Sequence, residues 1–312
     1  MNSKLNAFFE SSASEEVKEK ILLIDGHNLV HSSLYVAISQ HPDDNNTGFP
    51  IWKNIICESV FSKIKKYQPN KVILAFDTKN SWRKEIYPEY KANRKVDPKS
   101  LINFEKFYPV LDTFIDTFKR SFSTIKVLKI SRCESDDIIA ILTKEFAKVE
   151  STEIQIVSAD KDFMQLQKFR NVSQWDSIRD KVVKSLNPKK DLEIKLLTGD
   201  SGDNIFPLFK GCGPVTAEKL LEGKVVKVKK EPKTFDQILN EEELKNKYLL
   251  NKTLISFEEI PQDIQTIILS QYNEYEVKEF NGADVWNFFI DNDCKRLAEA
   301  INSYIPLLKN LK

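Results

Sequence analysis

The run "KVILAFD", Lys71 to Asp77, is a short apolar segment that ends on a carboxylate. Continuous β-branched and aliphatic residues over this length describe a strand buried on both faces, as in a parallel sheet. The same form recurs upstream as "ILLID" at 21–25 and downstream as "IKVLKI" at 125–130 and "EIQIVSAD" at 153–160. Helical periodicity fits Trp52 to Lys66, Phe104 to Phe118 and Asp136 to Lys148, between or beside these runs. The alternation predicts an α/β fold, a mostly parallel sheet with helices on both faces.

After about Leu196 the pattern changes. Short helical stretches such as "TAEKLL", "DIQTIILSQY", "VWNFFI" and "CKRLAEAI" follow one another with little strand signal. We divide the chain into a tail at 1–17, an α/β core at 18–195 and a helical portion at 196–312. The basic run "GKVVKVKKEPK" at 223–233 reads as an exposed loop or hairpin between two helices.

Composition sets outer bounds. Lys and Arg number 47 against 46 acids in 312 residues, so the net charge of +1 argues against wholesale electrostatic binding and leaves room for segregated patches. The four cysteines, Cys57, Cys133, Cys212 and Cys294, show no CxxC spacing and read as reduced thiols of a cytoplasmic protein. No segment approaches the roughly 20 apolar residues of a membrane span.

The acids carry the chemistry. "ILLID" ends in Asp25, "KVILAFD" in Asp77, and "EIQIVSADKD" runs into Asp160 and Asp162. The fourth run leads within a few residues to "CESDD", with Glu134, Asp136 and Asp137, and "TGDSGDN" adds Asp200 and Asp203. In a parallel sheet all strand C-termini lie on one edge, where open α/β sheets place their sites. One such Asp can simply cap a turn, and acids in a first helical turn complement the helix dipole. Acids after all four strands need cations, because clustered carboxylates otherwise raise one another's pKa. Oxygen-only donors select hard ions, Mg²⁺ or Mn²⁺, and an ion pair roughly 3.5–4 Å apart serves phosphodiester hydrolysis. His27 and His31 are four apart but lack an acid at matching spacing, so we read them as polar support beside Asp25.

Two further segments suit nucleic acid. "KNSWRKEIYPEYKANRKVDPK" at 79–99 mixes Lys and Arg with Trp82, Tyr87 and Tyr90, suited to phosphates and unpaired bases, although alone it also fits a solvated basic helix. "KGCGPVTAEKLL" places Gly211 and Gly213 before a helix with Pro214 in its first turn, leaving N–H groups free to approach a phosphate. A plain helix–turn–helix connection is the alternative there.

Taken in order, "LIDGHN", "AFDTKNSWRKEIYPEYKANR", "CESDDIIA", "SADKDFMQL", "GDSGDNI" and "GCGPVTAEKLL" resemble the flap endonuclease or 5′-nuclease family, nearest its phage ribonuclease H branch. The resemblance implies a nuclease that removes RNA primers and 5′ flaps, on DNA and on RNA/DNA junctions, with two Mg²⁺ ions. It implies metal positions at Asp25, Asp77, Glu134, Asp136, Asp137, Asp160, Asp162, Asp200 and Asp203. Lys91 and Arg94 of "EYKxNR" would act on the reacting phosphate beside Asp160, with Arg83, Lys84, Tyr87 and Tyr90 along the same strand. Residues 79–120 would form an arch over the site. The "GCG" turn looks like a helix-hairpin-helix, with Lys210, Gly211 and Gly213 on the duplex and K⁺ as an added occupant; the phage branch has a divergent turn there, whereas this chain keeps the glycines. A sliding clamp and a single-stranded DNA-binding protein are expected partners, the enzyme is expected to be a monomer, and no membrane is involved. The rival readings are a PIN-like ribonuclease and a non-catalytic DNA-junction binder.

Leu5, Phe8 and Phe9 of the tail are spaced as in clamp-binding peptides, an aliphatic residue followed by an aromatic pair. The alternative is that the two phenylalanines fold back onto the core.

Overall fold

The apolar runs become strands β1 (Glu19–Asp25), β2 (Lys71–Phe76), β3 (Lys126–Lys129) and β4 (Thr152–Val157). The computed structural model describes residues 19–40, 45–94 and 102–312. The tail with Leu5, Phe8 and Phe9 therefore lies outside the described residues, as do residues 95–99 of the basic segment. Strands β5 (Val172–Asp176) and β6 (Lys181–Val183) extend the sheet to the order β3-β2-β1-β4-β5-β6, parallel except for the β5–β6 pair.

Period-two alternation divides the strand residues between two cores. Leu22, Ile24, Val72, Leu74 and Val127 face α1 (Gly26–Gln40), α2 (Asn45–Tyr67) and α4 (Phe104–Ser121). Ile21, Leu23, Ile73, Leu128, Ile154 and Ile156 face α5 (Ser135–Phe146) and a 3₁₀ helix at Lys161–Lys168. The central strands β1 and β2 are buried on both sides over most of their length, which is why their runs are uninterrupted. The short helix α3 (Trp82–Ile86) follows β2.

The C-terminal part begins with α6 (Pro188–Thr198), a 3₁₀ turn at Ser201–Asp203 and α7 (Pro214–Leu221). The basic run 223–233 is indeed a hairpin, β7 (Val226–Val228) with β8 (Glu231–Lys233). After it come α8 (Phe235–Leu239), α9 (Glu242–Ile255), α10 (Gln262–Asn273), α11 (Gly282–Asp291), α12 (Lys295–Glu299) and α13 (Ile301–Lys309).

Two expectations change here. The division at 195/196 is not a boundary of packing: Val285, Phe288, Phe289, Leu297, Ile301 and Leu308 share one core with Trp52, Phe61 and Phe114. Likewise Ile264 and Ile268 of α10 join the core against α5. The chain needs these late helices to cover both faces of the sheet. The arch expected over 79–120 is also revised, because α4 buries Phe107, Leu111, Phe114, Ile115 and Phe118 against the body. Its aromatic residues serve the core, and only Phe104 and Tyr108 near its start face the cavity described below.

Candidate active site

A cavity of about 670 Å³ opens at the C-terminal edge of the sheet, lined by Asp25, Asp77, Glu134, Asp136 and Asp160 together with Lys91 and Arg94. The acids arrive by four routes, Glu134 and Asp136 together at the start of α5. Asp25 is the last residue of β1, Asp77 follows β2, Asp160 follows β4, and Glu134 is the N-cap of α5.

Hydroxyls and N–H groups fix the carboxylates. Asp25 accepts from the Asn28 N–H at 3.0 Å, the Ser135 hydroxyl at 3.0 Å and the Ser158 hydroxyl at 2.8 Å. Asp77 accepts from the Ser135 N–H at 2.8 Å and lies 3.4 Å from His27 Nε2. Burial lifts Asp25 to about pKa 6, against the N–H bond from Asn28, with the charge of Asp77 adding to the rise. Asp136 is pushed well above the usual carboxylate range, by burial first and then by Asp137 and Glu134, against the pull of Arg83. Glu134 goes the other way: burial would raise it, but Lys91 and Arg83 outweigh burial and hold it at about 2.

A second group lies beside the first, where Asp136, Asp162, Asp200 and Asp203 line a narrow crevice with Arg83, Tyr90 and Lys195. Lys195 pairs with Asp162 and, at 2.8 Å, with Asp200. Asp203 pairs with Arg94 and accepts from the Tyr90 hydroxyl at 3.1 Å. Burial lifts Asp162 to about 6 despite Lys195, whereas Lys195 and the Gly202 and Asp203 N–H groups hold Asp200 below its usual range against burial.

The structure thus brings eight of the nine expected acids to the two adjoining groups. Asp137 is turned inward: it is fully buried, accepts from the Trp82 indole at 3.1 Å and the Glu134 N–H at 3.0 Å, and pairs with Arg83 at 2.9 Å. Its carboxylate still lies close to those of Glu134 and Asp136, ligand atoms within 4.8 Å of one another.

Two nucleic-acid expectations are corrected. Arg83 is 2% exposed, and its guanidinium pairs with Glu134 at 3.0 Å and with Asp137. It is the internal counter-ion of the acid cluster. Tyr90, also 2% exposed, has its hydroxyl at 3.0 Å from Glu134 and 3.1 Å from Asp203, so it braces carboxylates. Trp82 is buried in the same way. Lys84 is exposed and Tyr87 half-buried; Lys210 and Gly211 are exposed. Gly211 has φ +90, a backbone state that side chains resist, with open space around it.

Lys91 and Arg94 sit where the sequence puts them, on the cavity wall, but their cations pair with Glu134 and Asp203. Their segment is clasped to the 3₁₀ turn. The Lys91 N–H donates to the Asp203 carbonyl at 2.9 Å, the Asn93 amide to the Ser201 carbonyl at 2.6 Å, and the Asn204 amide to the Glu89 carbonyl at 2.8 Å. Lys91 itself adopts φ +59.

Sequence reasoning missed Lys195, whose only signal was its place just ahead of "TGDSGDN". It also undervalued His31, which stacks on His27 at 4.4 Å between ring centroids and leaves Nε2 buried without a hydrogen-bond partner among the described residues. Burial, then the neighbouring His27, press the His31 pKa down to about 4.

Strand-end carboxylates on a parallel sheet edge, reached across by basic residues, define an α/β nuclease. Residues 20–195 match the family model of the 5′-3′ exonuclease N-terminal, resolvase-like domain. The chain belongs to this 5′-3′ exonuclease family. It is 29% identical over 311 residues to ribonuclease H of Enterobacteria phage T4, covering 95% of this chain and 99% of the relative. It is 32% identical over 213 residues to the flap endonuclease Xni of Shewanella putrefaciens, covering 65% of this chain and 74% of the relative. The fold is similar to that of the phage T5 5′-exonuclease with bound zinc ions, at TM-score 0.59 and 19% identity over 82% of this chain and 99% of that one. It is also similar to the phage T5 flap endonuclease in a pseudo-enzyme-product complex with DNA and metal ions, at TM-score 0.60 and 17% identity, over 82% of this chain and 98% of that one. Among the described residues no helix is long and apolar enough to cross a membrane.

Proposed function

We propose that this 5′-nuclease is Mg²⁺-dependent, with Mn²⁺ able to substitute, and acts as a 5′ to 3′ exonuclease and flap endonuclease that removes RNA primers and 5′ flaps. The observation that carries the reading is the convergence on one cavity of five carboxylates that follow four strands, with Lys91 and Arg94 in its wall. The donor set fits hard divalent ions, because it is oxygen-only and the burial of Asp25 and Asp136 makes their charged forms costly without a cation. We assign Asp25, Asp77, Glu134, Asp136 and Asp160 to one ion and Asp162, Asp200 and Asp203 to a second, with Asp137 holding Arg83 and Trp82 in place. Bound there, such ions activate water at neutral pH and neutralise charge on the attacking and leaving oxygens.

The chain's own groups do the rest. Ser135 and Ser158 aim the Asp25 carboxylate into the cavity, and the Ser135 N–H together with His27 aims that of Asp77. Lys91 and Arg94 are the cations positioned to transfer from acid to phosphate when substrate enters. The exposed backbone around Gly211 and Gly213, with Lys210, is assigned to the duplex backbone and is the place for K⁺.

The test is cleavage of a 5′-labelled DNA flap and of a nicked RNA/DNA hybrid, with Mg²⁺ or with excess EDTA. Products bearing a 5′-phosphate in Mg²⁺ and intact substrate in EDTA are expected. Turnover in EDTA would refute the metal assignment, and cleavage of single-stranded RNA alone would favour the PIN-like reading.

A further inference from the structure

We infer that Asn93 and Asn204 are positioning residues for the reaction: their amides lock the backbone that carries Lys91 and Arg94 onto the 3₁₀ turn at Ser201–Asp203, so that both cations stand ready for the reacting phosphate. Neither asparagine is among the residues assigned to a metal ion or to nucleic acid. The inference rests on the assignment of Lys91 and Arg94 to that phosphate made above.

Four successive carbonyls, from Ser201 to Asn204, are taken by one segment. The Ser201 carbonyl accepts from the Asn93 amide at 2.6 Å, that of Gly202 from Arg94 Nε at 3.1 Å, that of Asp203 from the Lys91 N–H at 2.9 Å and that of Asn204 from the Tyr87 hydroxyl at 3.4 Å. One bond runs the other way, from the Asn204 amide to the Glu89 carbonyl at 2.8 Å. A carbonyl can only accept, so both asparagines must present their NH₂ groups here.

The two sides of this clasp are not equally fixed. The turn is anchored on its own flanks: Asp200 and Ile205 exchange backbone bonds at 2.9 and 2.8 Å, and the Asn251 amide of α9 donates to the Leu196 carbonyl at 2.8 Å and the Phe206 carbonyl at 3.0 Å. Gly199, at φ +68, closes the turn where a Cβ would collide with the Ile205 carbonyl. Tyr87 to Arg94, by contrast, belong to no helix or strand. Within them Lys91 holds φ +59, a backbone state disfavoured for a residue with a Cβ. Its N–H bond to Asp203 keeps it there, with an asparagine clasp on either side: Asn204 grips Glu89, two residues ahead, and Asn93 adjoins Arg94. A strained residue held by so many outside bonds points to function. Fixing the backbone in advance spares two long side chains part of the search for the phosphate, and small displacements of such groups are costly in rate.

The bland account is that the amides only satisfy carbonyls and stabilise the fold. Asn93, Ser201 and Gly202 are exposed, so water can replace a lost amide there at small cost in stability. A purely stabilising role predicts earlier unfolding with normal cleavage by the folded protein.

The experiment uses the full chain carrying Asn93→Ala or Asn204→Gly. Residue 204 sits at φ +61, which glycine keeps while removing the amide. Single-turnover cleavage of a 5′-labelled DNA flap in Mg²⁺ with excess enzyme should slow about tenfold in each variant, while the flap Kd in EDTA changes less than about twofold and the urea midpoint stays near that of wild type. Added to Lys91→Met, Asn204→Gly should cost no more than about twofold further, because the cation it places is gone. Wild-type rates in both asparagine variants overturn the inference. So does a rate loss matched by lost affinity or by unfolding, or one that is undiminished in the Lys91→Met background. If Lys91→Met is slow while both asparagine variants are normal, the clasp alone fails. If Lys91→Met cleaves as fast as wild type, the phosphate assignment falls and the inference falls with it.

Discussion

The two carboxylate groups at the sheet edge are built from the same residue type and solve the repulsion between anions differently. Asp25, Asp77 and Asp160, on the open cavity, are held by hydroxyls, N–H groups and one histidine. Asp162, Asp200 and Asp203 are instead paired with Lys195 and Arg94. The first group needs a cation from solvent, whereas the second carries its cations on the chain. Glu134 and Asp136 sit between them, with Arg83 and Lys91 beside Glu134. The contrast teaches that clustered acids do not by themselves define equal metal sites. What matters is whether a side chain already competes for the same oxygens.

The largest expected effect tests the first group directly. Asp160→Asn should lower single-turnover flap cleavage by on the order of a thousandfold, about 4 kcal/mol, while Asp200→Asn should cost roughly tenfold. Equal losses would erase the distinction. The next test concerns the counter-ion between the groups: Arg83→Met should destabilise the fold by about 3 kcal/mol or more in urea unfolding, because Glu134 and Asp137 would be left buried without their cation. A loss below 1 kcal/mol would show that water or Lys91 can replace it.

Metal stabilisation should depend on pH. Asp25 and Asp162 both titrate near 6 in the fold, above their ordinary value, so the folded state retains protons that the unfolded state has lost. In the metal-free protein their contribution is fully present below about pH 4 and is lost as pH rises through 6. Glu134, held at about 2, contributes above its ordinary value and loses that contribution as pH falls towards 2. A divalent ion at tenfold its Kd adds about 1.4 kcal/mol. The Mg²⁺-induced rise in Tm should therefore be clear at pH 8 and vanish near pH 5. A rise independent of pH would place the ion elsewhere. The smallest effect sharpens the comparison: Lys195→Met removes the competing cation and should tighten Mn²⁺ binding a few-fold by calorimetry, without loss of the first ion. Weaker binding would mean that Lys195 positions the acids rather than competing for them.

Much of this was legible because strands buried on both faces leave an unmistakable apolar run, and the acid after each run fixes the edge. β5 escaped because the adjacent polar pair Ser173 and Gln174 interrupts "VSQWD", and the amide of buried Gln174 is satisfied by the carbonyls beyond β4. Arg83 and Tyr90 were misread because a basic, aromatic segment looks the same whether its side chains face water or acids; burial is a tertiary property that composition does not encode. Lys195 was passed over for the converse reason, since a helical lysine is ordinarily solvated. The role of α4 as a core helix depended on the late arrival of α11, invisible in local periodicity.

That late arrival has a consequence for synthesis. Phe61 packs edge-on against Phe289 and Tyr304, at 5.2 and 5.5 Å between ring centroids. At about 5–20 residues per second, a ribosome delivers Phe61 some ten to fifty seconds before Tyr304. Through that interval Phe61, Phe118 and Phe122 have one another but lack the cover that Phe288, Phe289 and Tyr304 supply. A stop codon ahead of α11 should yield an aggregating fragment, not a smaller nuclease, even though every acid of the active site has by then been translated.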